Sequence, residues 1–177
     1  IGMTFTEFEG NLLSGQILLG VSLVIELFGI TDDAGTNVTT GDMSLTIDSR
    51  QQPTTVISTI GSSIAIANGI STDTLSDFSI TVTEDASVFP NNFTTDATGS
   101  VTSSLFTGEV AYDMPIPFES SGSNFPYSGE MLVFGADNSR VRIIAMSDTD
   151  VRIEADYDGD GATDATIDTT WVALLAD

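Results

Sequence analysis

Histidine, cysteine and lysine are absent from the chain, and its only basic residues are four arginines, Arg50, Arg140, Arg142 and Arg152. Without histidine or cysteine there is no Ser-His-Asp triad, no thiolate nucleophile and no ordinary zinc site. Without lysine there is no Schiff base and no phosphate-binding P-loop. Neither thiols nor disulfides exist to report a redox compartment. These absences leave only carboxylates, hydroxyls and a hard metal ion for chemistry, and they argue for a non-enzymatic protein.

Basic charge is as scarce as acid is plentiful. Twenty-six acidic residues give a formal net charge of −22 and a pI near 4.1. A field of that sign repels nucleic-acid phosphates and anionic lipid headgroups, and it attracts cations. Long apolar runs are also lacking. The greasiest stretch, Ile17–Ile30, is short for a membrane helix and contains Glu26, so no transmembrane span is expected. The chain begins at Ile1 with no initiator methionine or charged leader, which reads as a mature chain or an excised domain.

Enough remains to fold. The 177 residues are 41% hydrophobic, with a mean hydropathy of +0.19, which suits one domain with a real core, taken as 1–177. Period-two alternation predominates. Val110, Tyr112, Met114, Ile116 and Phe118 alternate with Ala111, Asp113, Pro115, Pro117 and Glu119. The two prolines cannot donate to a ladder, which places this strand at a sheet edge. Phe78, Ile80 and Val82 share a face, as do Val141, Ile143 and Ala145, and then Val151, Ile153 and Ala155. Ser147–Asp150 reads as the hairpin turn between the last two runs. Ile17–Phe28 is apolar on both faces, as in a central strand covered on both sides or one facing a partner; a helix is the rival reading. Thr4–Gly10 and Ser62–Asn68 are further short strands, the second alternatively a short helix. Loops are expected at Thr31–Gly41, Ser49–Thr55, Asp85–Asn92 and Glu119–Ser128. The expected fold is all-β: a single antiparallel β-sandwich, or a strongly curved sheet or barrel, with a calcium-type loop in a C-terminal hairpin.

That loop is the one constellation with chemistry in it. Asp156, Asp158, Asp160, Gly161 and Asp164 have the spacing D-x-D-x-D-G-x-x-D. Calcium takes six to eight hard oxygens in relaxed geometry, and carboxylates two residues apart can converge in a tight turn. Gly161 permits the bend, Ala162 can offer its carbonyl, and Asp164 can bind directly or through water. The predicted ligands are therefore Asp156, Asp158, Asp160, Ala162 and Asp164, with Ca2+ as the ion. The twelfth position is Ile167 rather than a bidentate glutamate, and the flanks read as strands. The loop thus resembles dockerin-like and thrombospondin-type-3-like calcium loops more than a true EF-hand. The plainer alternative is an ion-free Asp-Gly turn.

A wider resemblance rests on Gly129–Leu174, which carries SGEMLVFGADNSRVRIIAM and then VRIEADYDGDGATDATIDTTW. This segment resembles the C-terminal part of uncharacterised secreted or lipid-anchored β-rich proteins of Gram-negative bacteria. The resemblance implies an exported all-β protein and brings no catalytic residues with it.

Other residues have ordinary explanations. Trp171, the only tryptophan, reads as core rather than as a ligand platform. Tyr112, Phe125 and Tyr127 read as loop plugs before sugar-stacking groups. Arg140, Arg142 and Arg152 read as cross-strand ion-pair partners. The acid pairs Glu84–Asp85 and Asp32–Asp33 give no sign of a glycosidase cleft. The sequons at Asn37 and Asn92 carry little weight. The expected function is a structural or assembly protein of the extracellular space or cell envelope, stabilised by calcium, with self-association or another envelope protein as partner. The alternatives are a calcium-dependent module for a glycan or surface ligand, and a carrier of an apolar molecule.

Overall fold

The computed structural model describes the backbone at 2–9, 20–31, 38–67 and 71–176, and the side chains at 40–67 and 71–176. Eleven strands form one antiparallel sheet in which each strand pairs with the next in sequence. They are β1 (Gly2–Glu9), β2 (Gly20–Thr31), β3 (Val38–Asp48), β4 (Thr54–Ala67), β5 (Thr72–Asp85), β6 (Asn92–Ser103), β7 (Glu109–Ser121), β8 (Ser128–Phe134), β9 (Arg140–Ala145), β10 (Asp150–Asp156) and β11 (Ala165–Thr170). One helical turn, α1 (Trp171–Leu174), follows. The all-β antiparallel class therefore stands, but there is one sheet rather than the two of a sandwich. Among the described residues no pairing joins β1 to β11, so the sheet is not closed. Its odd strand number makes β1 and β11 run the same way, so a closing pair would have to be parallel.

Alternation gives this sheet two unlike faces. The register aligns Ile47, Ile57, Val82, Thr95 and Phe118 in one row, with Leu45, Thr59, Ile80 and Ala97 beside it. On the opposite face Thr46, Ser58, Thr81 and Asp96 line up, next to Ser44, Ile60, Ser79 and Thr98. Thr94, Asp96 and Thr98 are exposed whereas Ala97 is buried, as a half-covered strand requires.

A seam of glycines and aromatics crosses the sheet. Gly61 lies opposite Phe78 and Gly99 opposite Tyr112. A Cβ at Gly61 would fall inside the Phe78 ring, and one at Gly129 would meet Phe118. Phe78 is consequently among the most buried side chains, 2% exposed. Near this seam the ladders shift register, between Asp42 and Ser44, Ser76 and Ser79, and Thr95 and Thr98. Such bulges bend strands, and aromatics laid over strand glycines fix the register there.

The same irregularity overturns the edge position expected for the proline strand. β7 lies between β6 and β8. Pro115 and Pro117 fall where the β8 register is interrupted, between Asp113 and Ile116 and between Ile116 and Glu119, and where the β6 register is interrupted too. No ladder hydrogen bond is asked of them. The bulges also break the alternation: Met114 is buried and Ile116 is 52% exposed.

Other expectations are refined. β2 is a strand paired on both sides, next to β1 rather than in the middle of the sheet; residues 17–19 and the β2 side chains lie outside the described residues. Ser62–Asn68 is strand as far as Ala67, not helix. β3 begins at Val38, inside the loop expected at Thr31–Gly41, of which 32–37 lie outside the described residues.

The clearest core sits at the C-terminal side, where Ala145, Val151 and Trp171 are buried with Phe118, Ile143 and Leu174 against them. Trp171 meets Phe118 edge-on at 5.7 Å and stacks on Phe125 at 6.3 Å. It does not continue β11 as alternation suggested. Thr170 caps α1 through Ala173 N–H, and the chain turns the indole inward while Ile167 stays 57% exposed.

Candidate metal centre

The β10–β11 hairpin carries the aspartate loop. Asp156 ends β10 opposite Arg140, is 4% exposed, and needs partners to remain charged there. Its Oδ1 accepts from Gly159 N–H at 2.8 Å and its Oδ2 from Gly161 N–H at 3.0 Å. Arg140 Nε lies 3.3 Å from Oδ2, and Arg140 Nη2 donates to the Gly161 carbonyl at 2.8 Å. One arginine thus ties the loop's first carboxylate to its middle. Gly159 (φ +74°) and Gly161 (φ +92°) both adopt left-handed conformations. At Gly159 a Cβ would also strike the Asp137 carbonyl, because the loop packs on the 136–138 turn.

The remaining aspartates close the loop. Asp164 Oδ2 accepts from Tyr157 N–H at 2.9 Å, and Asp158 Oδ1 from Asp160 N–H at 3.2 Å. Carboxylate oxygens of Asp156, Asp158 and Asp164 lie within 4.8 Å of one another. Two oxygens on opposite sides of a Ca2+ ion are about 4.8 Å apart, so this spacing fits one ion. Of the five predicted ligands, the structure brings these three together. Asp160 instead turns Oδ1 to Ala162 N–H at 2.7 Å, leaving its second oxygen as the one not used within the loop. Ala162 enters through that N–H.

Arg140 and Gly159 lie outside the motif's spacing. Arg140 is sixteen positions from Asp156, and only the β9–β10 register reveals the pairing. Around the loop the other arginines make the cross-strand pairs expected of them. Arg142 binds Glu130 and Glu154, and Arg152 binds Asp168 at 2.7 Å. The hydrogen bond from Arg152 holds the Asp168 carboxyl below the usual carboxylate range, and Glu130 above all raises the Arg142 guanidinium. Tyr157 projects from the loop 70% exposed, while Trp171 is buried at the opposite end of the strands. The aromatic beside the carboxylates is therefore Tyr157, not Trp171 or Tyr127.

Fold and site together define an open, single-sheet β protein with an aspartate loop in its last hairpin. No family model, curated protein or solved structure matches the chain.

Proposed function

We propose that the chain is a non-enzymatic structural or assembly protein of the cell envelope or extracellular space, with its last hairpin stapled by calcium. The carrying observation is the open sheet, whose β1 and β11 outer edges have no partner strand among the described residues. An unpaired edge offers a row of N–H and C=O groups to another chain, either a second copy or another envelope protein. β11 has no proline and no lysine to discourage such pairing, and four of its six residues are small or β-branched at exposed positions. The absence of histidine, cysteine and lysine supports a role without catalysis. For the ion, Asp156, Asp158 and Asp164 would supply charge and Asp160 and Ala162 further oxygens. Bound calcium would neutralise their mutual repulsion and hold β10 to β11.

A second reading has one observation in its favour. The exposed Tyr157 ring beside the carboxylates supports calcium-dependent binding of a glycan, on which the ring would stack. Light scattering with negative-stain imaging, in calcium and after chelation, tests the first reading. Large regular particles that shrink on chelation are expected. A compact monomer in both conditions would remove the assembly reading.

A further inference from the structure

Among the described residues, four loops and α1 share one end of the strands, opposite the aspartate loop, and hydrogen bonds lace them into a rim. Ala86 N–H donates to Pro53 O at 3.1 Å, joining 49–53 to 86–91. Gly122 N–H donates to Asn91 O at 2.8 Å, joining 86–91 to 122–127. Trp171 closes the remainder: its indole N–H reaches Pro126 O at 2.9 Å and Ser147 O at 3.2 Å, and its backbone N–H donates to Thr149 O at 3.0 Å. The rim is therefore a fixed platform rather than a set of independent loops.

Its tips are apolar. Phe89 is 98% exposed, Val172 and Leu175 are each 66% exposed, and Met146 and Val88 are about half exposed. One wholly exposed phenylalanine leaves roughly 150–250 Å² of apolar surface in water, and Val88 beside it and Met146, Val172 and Leu175 further along the rim add to what a partner could cover. Acid flanks these tips in the loops and at the strand ends that bound them. Asp85 precedes Val88, Asp148 and exposed Asp150 follow Met146, and the nearby Arg50 is bound by Asp48.

Charge selects the occupant. A second copy would bring the same acids face to face, and each of its four arginines is already in an ion pair. Anionic lipid is repelled by the net charge of −22. We propose that the rim is a docking surface for a segment of another protein that presents apolar side chains with a fringe of lysine or arginine. Apolar tips would be buried centrally while Asp85, Asp148 and Asp150 meet the cations at the margin. This proposal is independent of calcium and of the sheet edges.

The test uses a labelled amphipathic peptide of leucine and lysine, its leucine–glutamate counterpart, and phosphatidylcholine vesicles. The whole chain is compared with Phe89→Ser/Val172→Ser and with Leu105→Ser, a 70% exposed leucine at the other end. All substitutions are at exposed positions and preserve charge, and far-UV circular dichroism checks the fold. The leucine–lysine peptide is expected to bind, with about thirtyfold weaker affinity for the double variant and less than about twofold change for Leu105→Ser. Equal binding to wild type and double variant would reduce the interaction to diffuse charge attraction and overturn the proposal. Equal binding of the glutamate peptide, rim-dependent binding to the vesicles, or rim-dependent dimerisation in sedimentation would each overturn it in favour of a different occupant.

Discussion

Replacing Asp156 and Asp158 in turn by asparagine separates the structural role of the loop from the ion binding proposed for it. Asp156 is buried and accepts two backbone N–H groups as well as the Arg140 contact. Asparagine keeps one acceptor oxygen and turns an NH2 group toward an N–H. A hydrogen bond to a buried charge contributes about 1.5–3 kcal/mol, and the Arg140 contact is discounted because that side chain is 43% exposed. Asp156→Asn should therefore cost about 2–3 kcal/mol with or without calcium. Asp158 is exposed and makes one 3.2 Å bond to Asp160 N–H. In chelator Asp158→Asn should be neutral or slightly stabilising, because it relieves repulsion with Asp156 and Asp164. In calcium at about a hundred times the wild-type dissociation constant, the wild type gains about 2.7 kcal/mol, and a variant unable to bind loses that gain. For a chain of this size the loss is about 5–10 °C of melting temperature. Thermal melts followed by circular dichroism, in calcium and in chelator, read both effects. An identical shift for Asp158→Asn in the two buffers would refute the ion-binding reasoning. A neutral Asp156→Asn in chelator would refute the structural account of Asp156.

Three further outcomes are expected. Trp171→Ala should cost about 3–5 kcal/mol in urea unfolding, because it empties the space against Phe118 and Phe125 and frees two carbonyls; Trp171→Phe, which keeps a ring but no N–H, should cost less than half as much, and equal costs would show that packing contributes little. Gly61→Ala should destabilise by about 1–3 kcal/mol, since the Phe78 ring opposite has no exposed direction in which to move; the same change at Gly108, where an added Cβ meets nothing, is the control for space, though its φ of +96° adds backbone strain. Stability should fall as pH drops from about 4 toward 2: Arg50 holds the Asp48 carboxyl down at about 2, so its contribution is present above the unfolded-state value and is lost as pH falls through the folded one. Asp48→Asn should flatten that part of an acid titration followed by circular dichroism.

Much of the strand content was legible because alternation reports one-sided burial directly, as where half-buried Val141 and Ile143 and buried Ala145 alternate with exposed Arg140 and Arg142. What covers or closes a sheet is not encoded in that periodicity, so the same pattern served a sandwich, a barrel and the single open sheet alike. The proline strand was misplaced because Pro115 and Pro117 exclude ladder bonds but not bulges, and a bulge on both neighbours satisfies them in the sheet interior. The aspartate loop was legible because its carboxylates are local in sequence. Arg140 was not tied to it, since that contact follows from register across β9 and β10. The rim was invisible for a related reason: Val88, Phe89, Met146 and Val172 belong to separate segments, and only strand direction places them at one end.

Strand-to-neighbour pairing throughout the sheet bears on how the chain reaches its fold. Nearly every ladder closes a short hairpin, so few contacts wait on distant parts of the chain, and the contact order is low for a β protein. Such a chain can zip from any stable hairpin outward, and its folding should be fast compared with Greek-key sheets of similar length. Removal of two adjacent strands as a unit would leave the direction of every other strand unchanged, which makes sheet width a property that insertion or loss of whole hairpins can alter without redesigning the remainder.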